Sequence, residues 1–354
     1  MIYINGRFLT QKLSGVQRFA YNIIIELTNF TKVTVLVPNS EILYDIPDSI
    51  NLIHLDGYKG HLWEQLTLPN YLKKNSSPVL LNLCNTAPYF YSNNIYTLHD
   101  LIFKEYPDSY SFLFKLYYNL SSKYHVNRSK HIFTVSEYSK NKIIKYFETD
   151  FSKVSVIYNA VTSDILSLYN KFNIKNNSNE KYIMTQAYFD INKNIQVLID
   201  AFKKIDTKYN IKLYLVGSHI EKDKLNFEKL LKIPNVKYCG RVSDQALVNL
   251  YSQALCYVIP SKLEGFGIPP LEAQACGCPV VSSNTSALPE VVNDSALMFN
   301  PESSEELYRQ LMRLITDDEN TLRYDLQHKG YKNYKRFSYY NSAEKVYSII
   351  NSLK

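Results

Sequence analysis

Short apolar runs alternate with helical patterns along the whole chain, and this alternation restricts the fold more than any other feature. Val33–Val37, Val79–Leu83, Asn94–Leu98, His131–Val135 and Val154–Ile157 form a first set of strand candidates. Tyr182–Met184, Leu213–Val216, Val236–Cys239, Cys256–Ile259, Val280–Ser282 and Ala296–Phe299 form a second. Apolar runs of this length suit strands buried on both faces, and the helices between them supply the crossovers that parallel strands need. The expected class is α/β, with two parallel-sheet halves. The polar, Asn-rich stretch Thr162–Lys181 is the expected seam, placing one domain at 1–165 and another at 166–337. Beyond it, Ala343, Val346, Ile349, Ile350 and Leu353 share one helical face. A closing helix over 338–354, able to pack back on the first domain, is expected there.

The bulk properties agree with two folded cores. The chain has 354 residues, 45% hydrophobic and 21% charged, which is globular rather than disordered. The net charge of +7 suits phosphorylated small molecules or acidic headgroups. No dense Lys/Arg block is present, so nucleic acid is not an expected partner. Cys84, Cys239, Cys256, Cys276 and Cys278 form no Cys-x-x-Cys pair, and a reduced, cytoplasmic protein is the expectation. Met1–Leu9 lacks a signal-peptide layout, and no apolar run reaches the length of a membrane span.

The segment Pro260–Ser282 carries the most chemistry. It comes directly after the Cys256–Ile259 strand and holds Gly265 and Gly267, then Pro269 and Pro270, then Gly277. Glycines let the backbone turn sharply and approach a ligand, and prolines suit a first helical turn. A glycine loop entering a helix N-terminus is a natural phosphate site, because free N–H groups and the helix dipole face the anion. Glu272 is expected in the first turn of that helix, where its carboxylate can accept two hydrogen bonds from a ribose diol or simply favour the dipole. Glu264 lies before the glycines, on the strand-end side.

Other candidates sit at comparable places. His99-Asp100 closes the Asn94–Leu98 strand, and open α/β sheets bind ligands at strand C-terminal ends. Lys193 opens a helix, against the helix dipole, which favours an anion nearby. Ser14 and Gln17 have capping-box spacing ahead of a helix whose apolar face is Val16, Ala20, Ile23, Ile24 and Leu27. Gly15 there permits close approach, and Arg18 adds charge. No Asp-x-Asp motif stands at a strand end, so no required metal is expected.

In their order, these motifs resemble the retaining glycosyltransferases of family 4. That family has the GT-B fold, two Rossmann-like domains facing a cleft. Its signature has two glutamates separated by seven residues, matching Glu264 and Glu272. Trp63-Glu64-Gln65, Leu68-Pro69, His99-Asp100, Thr134-Val135-Ser136, Lys193-Asn194 and Gly240 come in the family's order. The run Ser283–Val291 resembles the bacterial mannosyltransferase-like subgroup of O-antigen and polysaccharide synthesis. The resemblance implies His99, Lys193 and Glu264 as catalytic residues. It implies Gly15, Arg18, Gly265, Phe266, Gly267, Ile268 and Glu272 as donor-binding residues, with Glu272 on the ribose and Lys193 on the diphosphate. Departures are Asn159-Ala160 in place of Asn-Gly, Thr185–Ala187 in place of a Gly-rich strand end, and no arginine in Gln186–Asn192. Neutralisation of the diphosphate then falls to Lys193 and Arg18, or to another basic residue.

The implied reaction moves a hexose, mannose or a deoxyhexose such as rhamnose, from a nucleotide sugar to a glycan or lipid-linked glycan. GDP-mannose is the first expectation for the donor. Other classes are a GT-B sugar-nucleotide epimerase and a non-catalytic nucleotide-sugar-binding partner. Between Lys115 and Lys153, eight Lys/Arg stand against three acids, with Tyr110, Phe112, Phe114, Tyr117, Tyr118 and Tyr124 interleaved or just ahead. Tyr110–Lys145 is therefore a candidate docking face for the cytoplasmic side of the inner membrane. The competing reading makes those aromatics the inner face of ordinary helices.

Overall fold

The computed structural model describes residues 1–171, 180–186, 191–217 and 229–353. By packing, the chain forms two units, Met1–Asn159 with Ser338–Lys354, and Ala160–Phe337.

The first unit holds a parallel sheet of β1 (Ile2–Asn5), β2 (Val33–Pro38), β3 (Ile50–Leu55), β4 (Leu80–Asn82), β5 (Asn94–Thr97), β6 (His131–Thr134) and β7 (Val154–Val156). Their order is β3-β2-β1-β4-β5-β6-β7. Two of these strands are absent from the sequence expectation. β3 is an edge strand whose Asn51 and His54 face solvent, so its apolar pattern is diluted. β1 is a central strand whose apolar run ends at Asn5, with no helical pattern before it to complete the alternation. The glycine just after β1 lets the chain run close to β2. A Cβ on Gly6 would lie 2.4 Å from Val35 Cγ1 and 2.7 Å from the Leu36 carbonyl oxygen. The chain can leave β1 against β2 only because residue 6 has no side chain.

A polar ladder crosses the middle of this sheet. Asn5 Nδ2 donates to Glu64 Oε1 at 2.7 Å and to Asn82 Oδ1 at 3.0 Å. Asn82 Nδ2 in turn donates to the Ile95 carbonyl at 3.1 Å. Glu64 is 1% exposed; it also accepts from Thr86 and lies 3.3 Å from the Arg7 guanidinium. Burial works to raise its pKa, but the His61 contact, the Arg7 charge and the Asn5 and Thr86 donors outweigh burial and hold it low. Its neighbours are structural too. Trp63 is fully buried, and Gln65 clamps the backbone at Ala87 and Tyr89.

The closing helix forms over Tyr339–Ser352 and buries Ala343, Val346 and Ile350. It packs on the Gly15–Leu27 helix, and the Phe30 ring lies 5.0 Å from that of Tyr340. That shared apolar seam assigns the helix to the first unit.

The basic, aromatic stretch is not uniform. In the Phe112–Arg128 helix, Phe114 stacks on Tyr110 and on Tyr118, and Tyr118 reaches Phe103; Tyr110 and Tyr118 pack on the core, while Phe114 is exposed. In the Glu137–Phe147 helix, Lys140 is buried over the Phe151 ring and Lys142 pairs with Glu105. Those lysines serve internal contacts, so the docking face expected over Tyr110–Lys145 does not extend through them.

The second unit holds β8 (Tyr182–Gln186), β9 (Lys212–Val216), β10 (Val236–Gly240), β11 (Cys256–Ile259), β12 (Val280–Ser283) and β13 (Ala296–Phe299). All pairings are parallel, in the order β10-β9-β8-β11-β12-β13. Part of the expected seam is a helix, Ser163–Lys171, which packs on the Asp244–Gln253 helix. Ile165 supplies its buried contact. The rest of the seam, residues 172–179, lies outside the described residues, as do residues 187–190.

Gly6→Ala tests the close approach at β1. The added methyl should overpack the β1–β2 contact and lower unfolding free energy by about 1–3 kcal/mol in urea titrations. A change within error would show that the sheet yields at this point.

Candidate functional site

In the second unit the strand order reverses between β8 and β11. The connection after β8 leads to one side of the sheet and that after β11 to the other. The carboxyl edge of such a pair is where open α/β sheets leave a crevice. Hydrogen bonds bind the two turns there. Lys262 N–H donates to the Asn192 carbonyl at 2.7 Å, and Asn192 Nδ2 donates to the Leu263 carbonyl at 3.4 Å. Asn194 Nδ2 donates to the Pro260 and Pro301 carbonyls at 3.1 and 2.8 Å. This lacing brings Lys193 Nζ within 2.7 Å of Glu264 Oε1, with both side chains mostly buried. The Ser286 hydroxyl, from the turn after β12, accepts from Glu264 N–H at 3.0 Å.

Gly267 makes the sharp turn into the Ile268–Ala275 helix with φ of 103°. A Cβ there would also meet Leu288 Cδ2 at 2.8 Å, so both conformation and space require glycine. Gly265 does not take positive φ. Pro269 and Pro270 remove two of the helix's early donors, which leaves the N–H groups of the Gly265–Ile268 loop at the positive end of the dipole. Phe266 points its ring inward, edge-on to Phe337 at 5.3 Å. Its side chain is an anchor in the core.

Glu272 stands in the second turn of this helix, not the first as expected, because the helix begins at Ile268. It is 4% exposed. At that depth a carboxylate does not serve the dipole, whose effect is confined to the terminal turn. Burial, with the Glu272 charge next, raises the phenol pKa of fully buried Tyr251. Gln186 Nε2, at the end of β8, donates to that phenol at 2.9 Å. Glu272, Tyr251 and the β8 terminus are thereby linked.

The remaining expected residues belong to the first unit, whose strand order reverses between β1 and β4. Ser14 is the N-cap residue of the Gly15–Leu27 helix but makes no side-chain bond to its backbone. Its hydroxyl turns instead to the Gln17 amide oxygen, so the expected capping box does not form. A Cβ on Gly15 would meet nothing within 4 Å, which leaves open space before that helix end. Arg18 comes one residue beyond Gln17, near Tyr44. His99 packs edge-on against Phe19 of the same helix, ring centroids 5.0 Å apart. Its Nε2 lies 2.9 Å from the Leu83 carbonyl. Since a carbonyl only accepts, Nε2 carries the proton. Burial pushes the imidazole pKa down to about 4, against that bond, so the ring is neutral and Nδ1 is an acceptor. Asp100 turns to the backbone and accepts from Ile102 N–H at 3.1 Å.

The comparisons with known proteins agree with one another. The profile described as "Glycosyl transferases group 1" matches residues 169–333, and "Glycosyltransferase Family 4" matches 13–164. The O-antigen chain mannosyltransferase RfbU of Salmonella typhimurium is 32% identical over 270 residues, covering 76% of this chain and 72% of that protein. The chain belongs to glycosyltransferase family 4. O-antigen chain mannosyltransferase B of Escherichia coli is 30% identical over 242 residues, 65% of this chain and 61% of that protein. Sucrose-phosphate synthase from Thermosynechococcus elongatus shares the fold with a TM-score of 0.77, 17% identity and coverage of 99% and 98%. Both units of this glycosyltransferase are thus the parallel-sheet, Rossmann-like domains of the GT-B fold.

Several residues of these sites carry no chemical motif in the sequence. Ser286 holds the Glu264 backbone, Asn85 Oδ1 accepts from His99 N–H at 2.9 Å, and Tyr251 neighbours Glu272. Each acts across the fold on a residue distant in sequence. Glu64, as the centre of Trp63-Glu64-Gln65, and Ser286, within Ser283–Val291, had a local sign but no role assigned to them.

Neutral, buried His99 has a pH consequence. Its folded pKa is below the ordinary 6.5, so the unfolded chain binds more protons between about pH 4 and 6.5. Stability is full above that window and is lost as pH falls through it, by on the order of 2–3 kcal/mol for such a shift. His125 and His131 are also lowered, chiefly by burial. In His99→Gln, the loss of urea-measured stability between pH 7 and pH 4.5 should shrink by about 1 kcal/mol or more. An unchanged loss would mean that His99 ionises freely in the folded protein.

Proposed function

We propose that this glycosyltransferase moves a hexose from a nucleotide sugar to a glycan or lipid-linked glycan acceptor, with retention at the anomeric carbon. The observation that carries this reading is the meeting of Lys193, Glu264 and the Gly265–Ile268 loop at the β8/β11 reversal, with Glu272 buried just behind. Glu272 accepts from the ribose hydroxyls. The loop amides and Lys193 hold the diphosphate. The bond from the anomeric carbon to the diphosphate oxygen breaks while the bond from the acceptor oxygen forms on the same face. The acceptor's proton passes to the departing diphosphate. Lys193 neutralises the charge that grows there, an interaction stronger in the transition state than in the ground state. No resident metal takes part. On the first unit, the open end of the Gly15 helix with Arg18 offers an anion contact, and His99 Nδ1 accepts from a sugar hydroxyl. Mannose is the proposed hexose, supported by the names of RfbU and mannosyltransferase B, and GDP is proposed as its carrier from the subgroup resemblance alone.

Turnover with GDP-, UDP- and dTDP-sugars, with the product's anomeric configuration read by NMR, tests the reading as a whole. Inversion of configuration, or binding without transfer, would reject it. Glu272→Ala should weaken nucleoside diphosphate binding at least about tenfold in calorimetry, since charged hydrogen bonds contribute roughly 1.5–3 kcal/mol each. Lys193→Ala should lower kcat more than it weakens donor binding. A rise in KM alone would remove the leaving-group role. Activity should persist in EDTA; abolition there, with rescue by Mg²⁺ or Mn²⁺, would overturn the metal-free step.

A further inference from the structure

The Thr321–Tyr334 helix supplies no residue to the donor site, yet it turns polar groups inward. A surface helix ordinarily keeps such groups in water. Arg323, Gln327, Gly330 and Asn333 recur at helical spacing, and each meets the chain around the helix that bears Glu272. Arg323 donates to the Leu255 and Ala254 carbonyls, at 2.8 and 3.0 Å, where β11 begins. Gln327 Nε2 donates to the Gly277 carbonyl at 2.7 Å, just past the end of the Ile268–Ala275 helix. A Cβ on Gly330 would lie 3.0 Å from Gln274 Cγ, so the two helices close on each other there. Asn333 Nδ2 donates to Gln274 Oε1 at 2.8 Å and to the Val291 carbonyl at 2.9 Å.

The hydrogen bonds at the Asn333 end have a forced direction. Arg336 Nη1 donates to Asn333 Oδ1 at 2.7 Å, and a guanidinium only donates. Gln274 Nε2 donates to the Ser295 hydroxyl at 2.7 Å and to the Ser295 carbonyl at 3.3 Å, and a carbonyl only accepts. Between these two ends, turning over either amide would set donor against donor or acceptor against acceptor. Gln274, Ser295 and Asn333 are all buried, where an unmet polar group is costly. One rotation of the Ile268–Ala275 helix satisfies the whole set. Gln274 and Glu272 are two residues apart on that helix, about 200° around its axis. Holding Gln274 on one side therefore fixes where Glu272 points on the other. The same Arg336 guanidinium lies 5.1 Å from the centroid of the Phe337 ring, and Phe337 anchors Phe266 of the glycine loop.

We propose that Asn333, oriented by Arg336, is a positioning residue of the donor site, which sets Glu272 through Gln274 and steadies the glycine loop through Phe337. The ligand it serves rests on the reading of Glu272 as the ribose contact. The full chain and its Asn333→Asp, Arg336→Ala and Glu272→Ala variants are titrated with GDP and with UDP in calorimetry. Asn333→Asp keeps the shape and the Arg336 bond but sets an acceptor against Gln274 Oε1. It should weaken binding of whichever nucleotide the wild type takes by at least about fivefold, and Arg336→Ala by at least about threefold. KM for the nucleotide sugar should rise more than kcat falls. Amide hydrogen exchange, measured without ligand, should quicken over Gly265–Ala275 and stay unchanged in β9. If Asn333→Asp loses its circular dichroism spectrum, Arg336→Ala, altered at an exposed side chain, carries the test. Wild-type binding in a folded Asn333→Asp, when Glu272→Ala has lost it, would overturn the proposal. If the wild type binds neither nucleotide, or Glu272→Ala binds as the wild type does, the ribose reading fails and exchange alone decides. Faster exchange confined to Gly265–Ala275 then supports the positioning role, and unchanged or uniformly faster exchange overturns it.

Discussion

A parallel sheet wound outward in both directions from one pair of strands must leave that pair's carboxyl edge uncovered, because the chain departs from the two strands toward opposite faces. This constraint acts twice here, at β1/β4 and at β8/β11. Every residue with a proposed ligand role lies in or near a segment that leaves one of those edges. At β8/β11 the turn at Ile191–Lys193 and the Pro260–Gly267 loop are neighbours because their parent strands are. At β1/β4 the Arg7–Thr10 turn leads to the Gly15 helix, and the Leu83 carbonyl and the Asn85 side chain hold His99. Topology brings the residues to the edge; the side-chain hydrogen bonds then decide their orientation.

The two edges are stabilised differently. At β1/β4, a buried carboxylate, Glu64, gathers Asn5, Thr86 and Arg7 beneath the edge. Glu64 Oε1 accepts from Asn5 and Thr86, while Oε2 faces the Arg7 guanidinium as an ion pair without a hydrogen bond, so opposite charge offsets part of the cost of its burial. At β8/β11, carbonyls and amides of the loops themselves do the work, through Asn192 and Asn194. The proposed ligand-facing roles fall to Lys193, Glu264 and the loop amides.

The alternation of apolar runs made the α/β class and most strands legible, since buried parallel strands are short and continuously apolar. β1 escaped because no helical pattern precedes it to complete the alternation and its apolar run ends at Asn5; Gly6 immediately after it allows the close approach to Val35. The glycine loop at Gly267 was legible because both φ and space demand glycine there. The helix phase of Glu272 was misplaced by a turn, since prolines at 269 and 270 are compatible with more than one start. Ser14 and Gln17 have the right spacing for a capping box, but spacing does not say which partner the hydroxyl prefers, and here it is the Gln17 side chain. The Tyr110–Lys145 stretch illustrates the same limit. Residue counts treated its charges as one surface, whereas the fold turns Lys140 and Lys142 inward and leaves Phe112, Leu113, Leu116 and Leu120 facing out.

The Lys193–Glu264 pair shows why a short ion pair need not be a stability device. A lone, partly exposed pair contributes roughly 0–1 kcal/mol at most, because desolvation and lost side-chain freedom offset the attraction. This pair is laced from both sides, by Asn192 and Asn194 on one turn and by Ser286 on the other. That amount of local order is more than a marginal pair requires. Its effect is to fix the lysine ammonium, a flexible group on four methylenes, before any ligand arrives. A cation held in place in advance loses little further entropy on meeting an anion and needs no reorganisation as the anion's charge grows. In that arrangement Glu264 is the partner that positions the lysine. The geometry that holds the carboxylate against the ammonium in the free protein is also the geometry that sets a positive charge beside the loop amides, at the edge where β8 and β11 part.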